Sequence, residues 1–407
     1  MDFKKKATDR LIRYAKIMTP SREDSDSFPS TAVQFDLARV LVDELKELGM
    51  EDAFVDDYCY VYASIPATPG KEKCPVIGFI SHMDTVSDYT KKQVNPLVWE
   101  DYDGKDLTLP SGRVISCSDF PHLASLKGRT LVTSDGNTIL GADDKAGVAE
   151  IITMAEYLLR SSMPHGRICI AFTPDEEIGK GPAHFDVEGF GADYAYTVDG
   201  GVEGSIEYES FYAANVKFII HGKGIHPGEA KGIMVNASLV AMHINSMIPE
   251  NEIPANTSGY EGFYHLCEME GSVEEASLFY IVRDHDLEKY HRRLDYLSYI
   301  EKSIKQVYGD DVVDLIVKES YRNMKDKIRP HFHLIENARK AAIRTGAEPV
   351  TLPIRGGTDG AMLSFMGLPC PNLGTGGYAC HGPYEHVTGE GMETVVKILL
   401  EIVKTYA

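Results

Sequence analysis

The chain has 407 residues, 43% apolar and 25% charged, with 61 acidic against 41 basic side chains and a formal net charge of −20. That length exceeds one ordinary hydrophobic core and points to two domains. The acidic balance lacks the basic footprint of a nucleic-acid binder, and no stretch approaches the ~20 apolar residues of a membrane span, so neither nucleic acid nor a membrane is an expected partner.

From the start, Met1-Asp-Phe-Lys-Lys-Lys has no apolar run behind it, so no signal peptide is expected. Residues 2–18 and 31–49 carry helical apolar spacing, the second through Val33, Leu37, Val40, Leu41, Leu45 and Leu48. A β segment follows around 54–65, and the mostly apolar run 74–82 reads as a buried strand. Residues 88–130 look irregular. From 131 the pattern is α/β: a short strand at 131–133, a helix at 146–160 and strands at 167–172 and 194–198. Strands alternating with helices predict a mixed, mostly parallel sheet covered by helices.

Near Phe211 the grammar changes. A strand at 213–221, a helix at 236–247, strands at 264–271 and 277–283, a charged helix at 287–307 and a strand at 312–319 spell β-α-β-β-α-β. That order is the ferredoxin-like pattern of a compact α+β unit. The expectation is an α/β catalytic domain formed by 1–211 and 323–407, interrupted by an inserted domain at 212–322. The returning chain reads as a helix at 331–345, a Gly-rich stretch Pro353-Ile-Arg-Gly-Gly-Thr-Asp-Gly, a strand at 370–374 and a helix at 389–405. The seven cysteines, odd in number and without a Cys-x-x-Cys pair, read as reduced thiols of a cytoplasmic protein.

Five segments carry candidate metal ligands. His82 and Asp84 stand two apart at a strand's end, and the carboxylate steadies the ring only if the backbone turns. Asp143 follows a Gly-Ala turn ahead of the helix, where a helix cap is the plain alternative. The run Asp175, Glu176, Glu177 follows the strand at 167–172 and needs a cation among its like charges, unless it is a solvated acidic turn. Asp199 closes an apolar strand, where Asp-Gly is also simple turn chemistry. The fifth segment is Ala379-Cys-His381-Gly-Pro-Tyr-Glu, in a Gly-rich loop. Ligands of open α/β sheets bind outside the carboxyl ends of the strands, and four of the five segments are read as sitting there. Two imidazoles and three carboxylates match two divalent ions roughly 3.5–4 Å apart that share one carboxylate and a water. Nitrogen and oxygen ligands without thiolate suit Zn, Co or Mn. The spare acid, Glu176, would face that water, take its proton and pass it to a leaving amine, which is amide hydrolysis.

His82-Met-Asp84-Thr, Gly141-Ala-Asp143-Asp-Lys-Ala-Gly, Asp175-Glu176-Glu177-Ile-Gly, Asp199-Gly-Gly and His381-Gly resemble the metal motifs of the di-zinc exopeptidases. That family includes aminoacylases, carboxypeptidases and dipeptidases. Phe172-Thr-Pro-Asp-Glu-Glu, His184-Phe-Asp, Tyr260-Glu-Gly-Phe-Tyr-His265 and the Arg355 loop are similar to its tripeptide aminopeptidase branch, over nearly the whole chain. The resemblance implies that His82 and Asp199 bind one zinc, Glu177 and His381 the other, and Asp143 bridges them. It implies that Asp84 orients His82 and that Glu176 is the general base. It further implies that Arg355 holds a substrate carboxylate, for which a bidentate Arg pair is suited, and that His226 and Asn236 of the inserted lid or dimerisation domain reach the substrate. A homodimer acting on short peptides is implied by the same relatives. A dipeptidase, carboxypeptidase or N-acyl hydrolase on this scaffold is the alternative within the class. A binding protein without catalysis would lack a ligand or the base, and all seven residues are present.

Overall fold

The computed structural model describes residues 1–407, which divide into two compact units: Met1–Tyr208 with Asp326–Leu352 and Thr358–Ala407, and Glu209–Lys325 with Pro353–Gly357.

The larger unit is built on a seven-stranded sheet. Its strands run in the order Phe54–Val55, Val61–Ile65, Ile168–Thr173, Ile77–His82, Tyr194–Gly200, Asn372–Gly374, Ile206–Glu207. The four central strands are parallel, and the three outer ones pair antiparallel. Every residue of Ile77–His82 and Ile168–Thr173 is buried, which explains their mostly apolar, non-alternating sequence, since a covered parallel sheet has no solvent face. The helix Ala142–Arg160 packs on Ile77–His82 and Tyr194–Gly200, and the helices Phe3–Ala15 and Gly389–Thr405 pack against it. The helix Gln34–Leu48 stops at Gly49, whose φ of 107° is the left-handed conformation that only glycine adopts without strain. No helix is long and apolar enough to cross a membrane.

Register delivers the site to one edge. His82 pairs with Thr173 and Ile80 with Thr197, so the chain leaves the sheet at His82, at the acidic run after Thr173 and at Asp199 on neighbouring strands. A second, antiparallel sheet of Gly377–Tyr378, His386–Thr388, Leu131–Thr133 and Leu97–Trp99 frames the loops that carry Asp143 and His381.

The smaller unit is a four-stranded antiparallel sheet in the order Phe263–Gly271, Glu275–Asp284, Tyr212–His221, Val313–Tyr321. With helices Ala237–Ser246 and Leu287–Tyr308 this is the β-α-β-β-α-β unit expected from the sequence. Burial alternates residue by residue along Glu275–Asp284, as one covered face demands. The buried set includes Val216, Phe218, Ile220, Val240, Leu278 and Ile300.

Two details differ from the sequence reading. The smaller unit is wider than 212–322 and recruits Pro353–Gly357 from the returning chain. The cause is local bonding: the Ile354 N–H donates to Glu209 O at 2.9 Å, and the His285 ring meets Ile354 O at 3.0 Å. The sequence of the Gly-rich stretch also spells no helix, yet Asp359–Phe365 is one, capped by Thr358, whose hydroxyl accepts from the Ala361 N–H.

Candidate metal centre

Asp143 lies at the middle of the cluster. Gly141 takes a left-handed turn with φ 73°, and Asp143 and Asp144 depart from helical geometry before the helix proper begins. This start aims the Asp143 side chain outward instead of into the helix cap. Its Oδ1 lies 3.2 Å from His82 Nε2 and its Oδ2 lies 3.0 Å from His381 Nε2. Asp199 Oδ1 stands 3.5 Å from His82 Nε2, and Glu177 Oε2 stands 3.1 Å from His381 Nε2. The residues thus fall into two triads, His82–Asp143–Asp199 and Asp143–Glu177–His381, each with its ligand atoms within 4.8 Å of one another. Each triad draws on a different oxygen of the same Asp143 carboxylate.

The backbone does turn after His82. The ring's Nδ1 lies 3.1 Å from Asp84 O and 3.3 Å from Asp84 Oδ1, so Nδ1–H is the donor and Nε2 presents its lone pair to the cluster. Asp84 is fully buried and accepts the backbone N–H groups of Glu176 and Glu177. The neighbouring Asp175 is tied down by the Ser30 N–H at 2.6 Å and by Gln34 Nε2 at 2.7 Å. It anchors the loop, leaving Glu176 and Glu177 at the cluster.

Electrostatics set the chemistry. Burial pushes the Glu177 and Asp199 carboxyls up, against the histidines that draw them down. Burial, with Asp199 beside it, also pushes Glu176 well above the usual carboxylate range. Asp143 is held low, against the desolvation that would raise it, by hydrogen bonds from His381 and His82. His381 is pushed up to about 10 by its bonds to Asp143 and Glu177. These are carboxylates crowded in a low-dielectric place and short of positive charge. Glu177 Oε1 is a buried oxygen without a hydrogen-bond partner. A pair of divalent cations fits this donor set, because it would supply the missing charge and satisfy that oxygen. The site opens on the His381 side: that side chain is 53% exposed against 2% for His82.

The three remaining sequence candidates belong to the smaller unit. Arg355 lies over the Phe211 and Phe263 rings. Its Nη1 donates to Gly259 O at 2.7 Å and Glu261 O at 2.9 Å, and its Nη2 to Thr257 Oγ1 at 3.1 Å. His226 is exposed. Its Nδ1 accepts the Gly228 N–H at 3.1 Å, which leaves Nε2–H as an outward donor. Asn236 caps Ala237–Ser246, its Oδ1 accepting from the Leu239 N–H.

Sequence reasoning passed over Glu385 and Asp359. Glu385 closes the fifth segment; its carboxylate is buried among backbone N–H groups near Asp143. Asp359 is buried, accepts from Thr173 Oγ1 at 2.6 Å and is pushed up to about 7 by burial. The one available signal was an acid inside an otherwise Gly-rich loop.

Residues 133–405 match the peptidase family M20/M25/M40. Two curated relatives named peptidase T match end to end. One, from Alkaliphilus oremlandii, is 49% identical over 99% of this chain and 100% of its own length. The other, from Clostridium perfringens, is 50% identical over 99% of both. Among solved structures, an aminopeptidase PepT from Bacillus cereus superposes with a TM-score of 0.78 at 24% identity, covering 98% of each chain. A dinuclear metal-binding peptidase of family M20 from Bacillus subtilis gives 0.63 at 16% identity, covering 99% of this chain and 98% of its own. With near-half identity sustained over full length, and with the acid–histidine cluster inside the matched fold, this chain belongs to peptidase family M20/M25/M40, as a metallopeptidase of the peptidase T group.

Proposed function

We propose that the enzyme is a tripeptide aminopeptidase that uses two divalent ions, zinc by preference and cobalt or manganese as substitutes. The observation that carries this reading is the Asp143 carboxylate, whose two oxygens face different histidines at 3.2 and 3.0 Å. His82 and Asp199 would hold one ion, Glu177 and His381 the other, with Asp143 common to both. Such an ion pair, when bound, lowers the pKa of water toward neutrality and polarises a peptide carbonyl.

The chain's own side chains do the rest. Asp84 keeps the His82 ring in the tautomer that turns a bare nitrogen to the site, and holds the Glu176 backbone through its N–H. Glu176, poised by burial to accept a proton, takes it from the attacking water and delivers it to the leaving amine. Arg355 would bind the substrate's terminal carboxylate by exchanging its present carbonyl partners for a stronger, charge-assisted pair. The His226 Nε2–H and Asn236 would donate to the substrate's oxygens. The inserted domain would serve as lid and dimer contact, giving a homodimer, and the seven free cysteines support a cytoplasmic enzyme.

The decisive test offers one peptide as di-, tri- and tetrapeptide, each with a free or acetylated amine, and reads products by mass spectrometry. Release of the first residue from the free tripeptide alone is expected. Cleavage of the acetylated form, or release from the carboxyl end, would move the enzyme to its acylase or carboxypeptidase relatives. Treatment with a chelator should abolish turnover, and Zn²⁺, Co²⁺ or Mn²⁺ should each restore some of it.

A further inference from the structure

The loop that presents Asp143 is held from behind by one side chain. Glu385 Oε2 accepts the backbone N–H groups of Leu140 at 2.7 Å and Gly141 at 2.8 Å, and Glu385 Oε1 accepts that of Asp143 at 2.9 Å. The side chain is 1% exposed. Three donors from four consecutive residues therefore converge on one carboxylate, an acceptor-only group that can take them all. The left-handed turn at Gly141 is what points the three N–H groups the same way.

Glu385 is itself fixed. Its N–H donates to Gly382 O at 3.1 Å, closing the turn that directly follows His381, and the next residue, His386, pairs with Thr133 in the antiparallel sheet. One residue thus joins the loop bearing Asp143 to the loop bearing His381, across 242 positions of sequence.

We propose that Glu385 is a positioning residue that sets the Asp143 backbone before any metal arrives, so that both oxygens of Asp143 are presented at once. A carboxylate shared by two ions tolerates little rotation, since a turn that improves one bond spoils the other. On the solvent side Asp143 meets only the half-exposed His381, which holds its carboxylate oxygen and not its backbone. The constraint has to come from the buried side, and Glu385 supplies it there. The inference rests on reading Asp143 as a ligand to both ions.

The test is Glu385→Gln, which keeps the shape but puts an amide donor against at least one backbone donor. Zn²⁺ alone is titrated into metal-free wild type and variant against a competing chelator, with circular dichroism as the check on folding. The wild type should take up two ions, and the variant should bind at least one of them roughly 10–100-fold more weakly. With zinc saturating, kcat should fall while KM for the tripeptide stays close to wild type. Equal zinc affinity in a folded variant would overturn the role of Glu385 even if thermal stability dropped, because a merely structural contact predicts that pattern. Should the wild type fail to bind two ions, the reading of Asp143 falls, and this inference with it. If the variant does not fold, hydrogen exchange on metal-free wild type decides. Amides in 140–143 should already be protected, and free exchange there until zinc is added would refute preorganisation.

Discussion

Asp84 Oδ1 accepts the backbone N–H of Glu176 at 3.0 Å, while the same carboxylate stands against the His82 ring. One buried acid therefore orients an imidazole at the end of one strand and the acidic loop that follows its neighbour. Replacement by Asn keeps an acceptor but exchanges an oxygen for a donor that faces either the His82 Nδ1–H or a backbone N–H. Asp84→Asn should cost about 10–100-fold in metal affinity or in kcat/KM, the usual penalty for disturbing a ligand's orienting partner. Zinc titration beside steady-state kinetics checks this, and an unchanged affinity and rate would exclude the orienting role.

In the proposed mechanism Glu176 would have no substitute as proton carrier, because Glu177, Asp143 and Asp199 all face the histidines. Glu176→Gln should lower kcat by roughly 10²–10⁴-fold while elemental analysis still finds two metal ions per chain. Turnover near the wild-type level in that variant would remove Glu176 from the proton path.

His386 makes a pH-dependent contribution away from the metal cluster. Its Nδ1–H donates to Tyr384 O at 2.7 Å, so its Nε2 accepts from His122 Nε2–H at 2.8 Å. Burial pulls its pKa from 6.5 down to about 4. Between those values the unfolded chain binds a proton that the folded chain does not, so stability rises with pH across that interval. The contribution is fully present above about 6.5 and is lost as pH falls toward 4, a span of about 3 kcal/mol. Urea midpoints between pH 4 and 7 should show this slope, and His386→Phe, which keeps the ring stack with Tyr378, should flatten it.

Gly147 lets the helix Ala142–Arg160 touch the strand that carries Asp199. A Cβ there would press on Val198 O and come within 2.7 Å of Asp144 Oδ1 and 2.8 Å of Ser81 Oγ. None of these can retreat cheaply, since two are buried side chains and one is backbone. Gly147→Ala should destabilise the protein by about 1–3 kcal/mol and weaken zinc binding by shifting Asp143 relative to Asp199. A thermal midpoint within a degree of wild type would show that the contact is slack.

The sequence by itself determined most of the elements and the candidate ligand types. Mostly apolar runs without alternation marked Ile77–His82 and Ile168–Thr173 as covered strands, because burial on both faces removes any need for alternation. Acids and histidines placed just after such runs could be read as one site because parallel strands end at a common edge. What only the tertiary structure decided is how those groups share space. That Asp143 turns one oxygen to His82 and the other to His381 depends on loops 61 and 238 residues away. That Arg355 joins the smaller unit depends on carbonyls at Thr257, Gly259 and Glu261, and that Glu385 grips 140–143 depends on backbone N–H groups. Every residue but proline carries such carbonyl and N–H groups, so their spelling has no signature. Their direction is set by the fold, and the bonds they make become visible only once the chain has closed on itself.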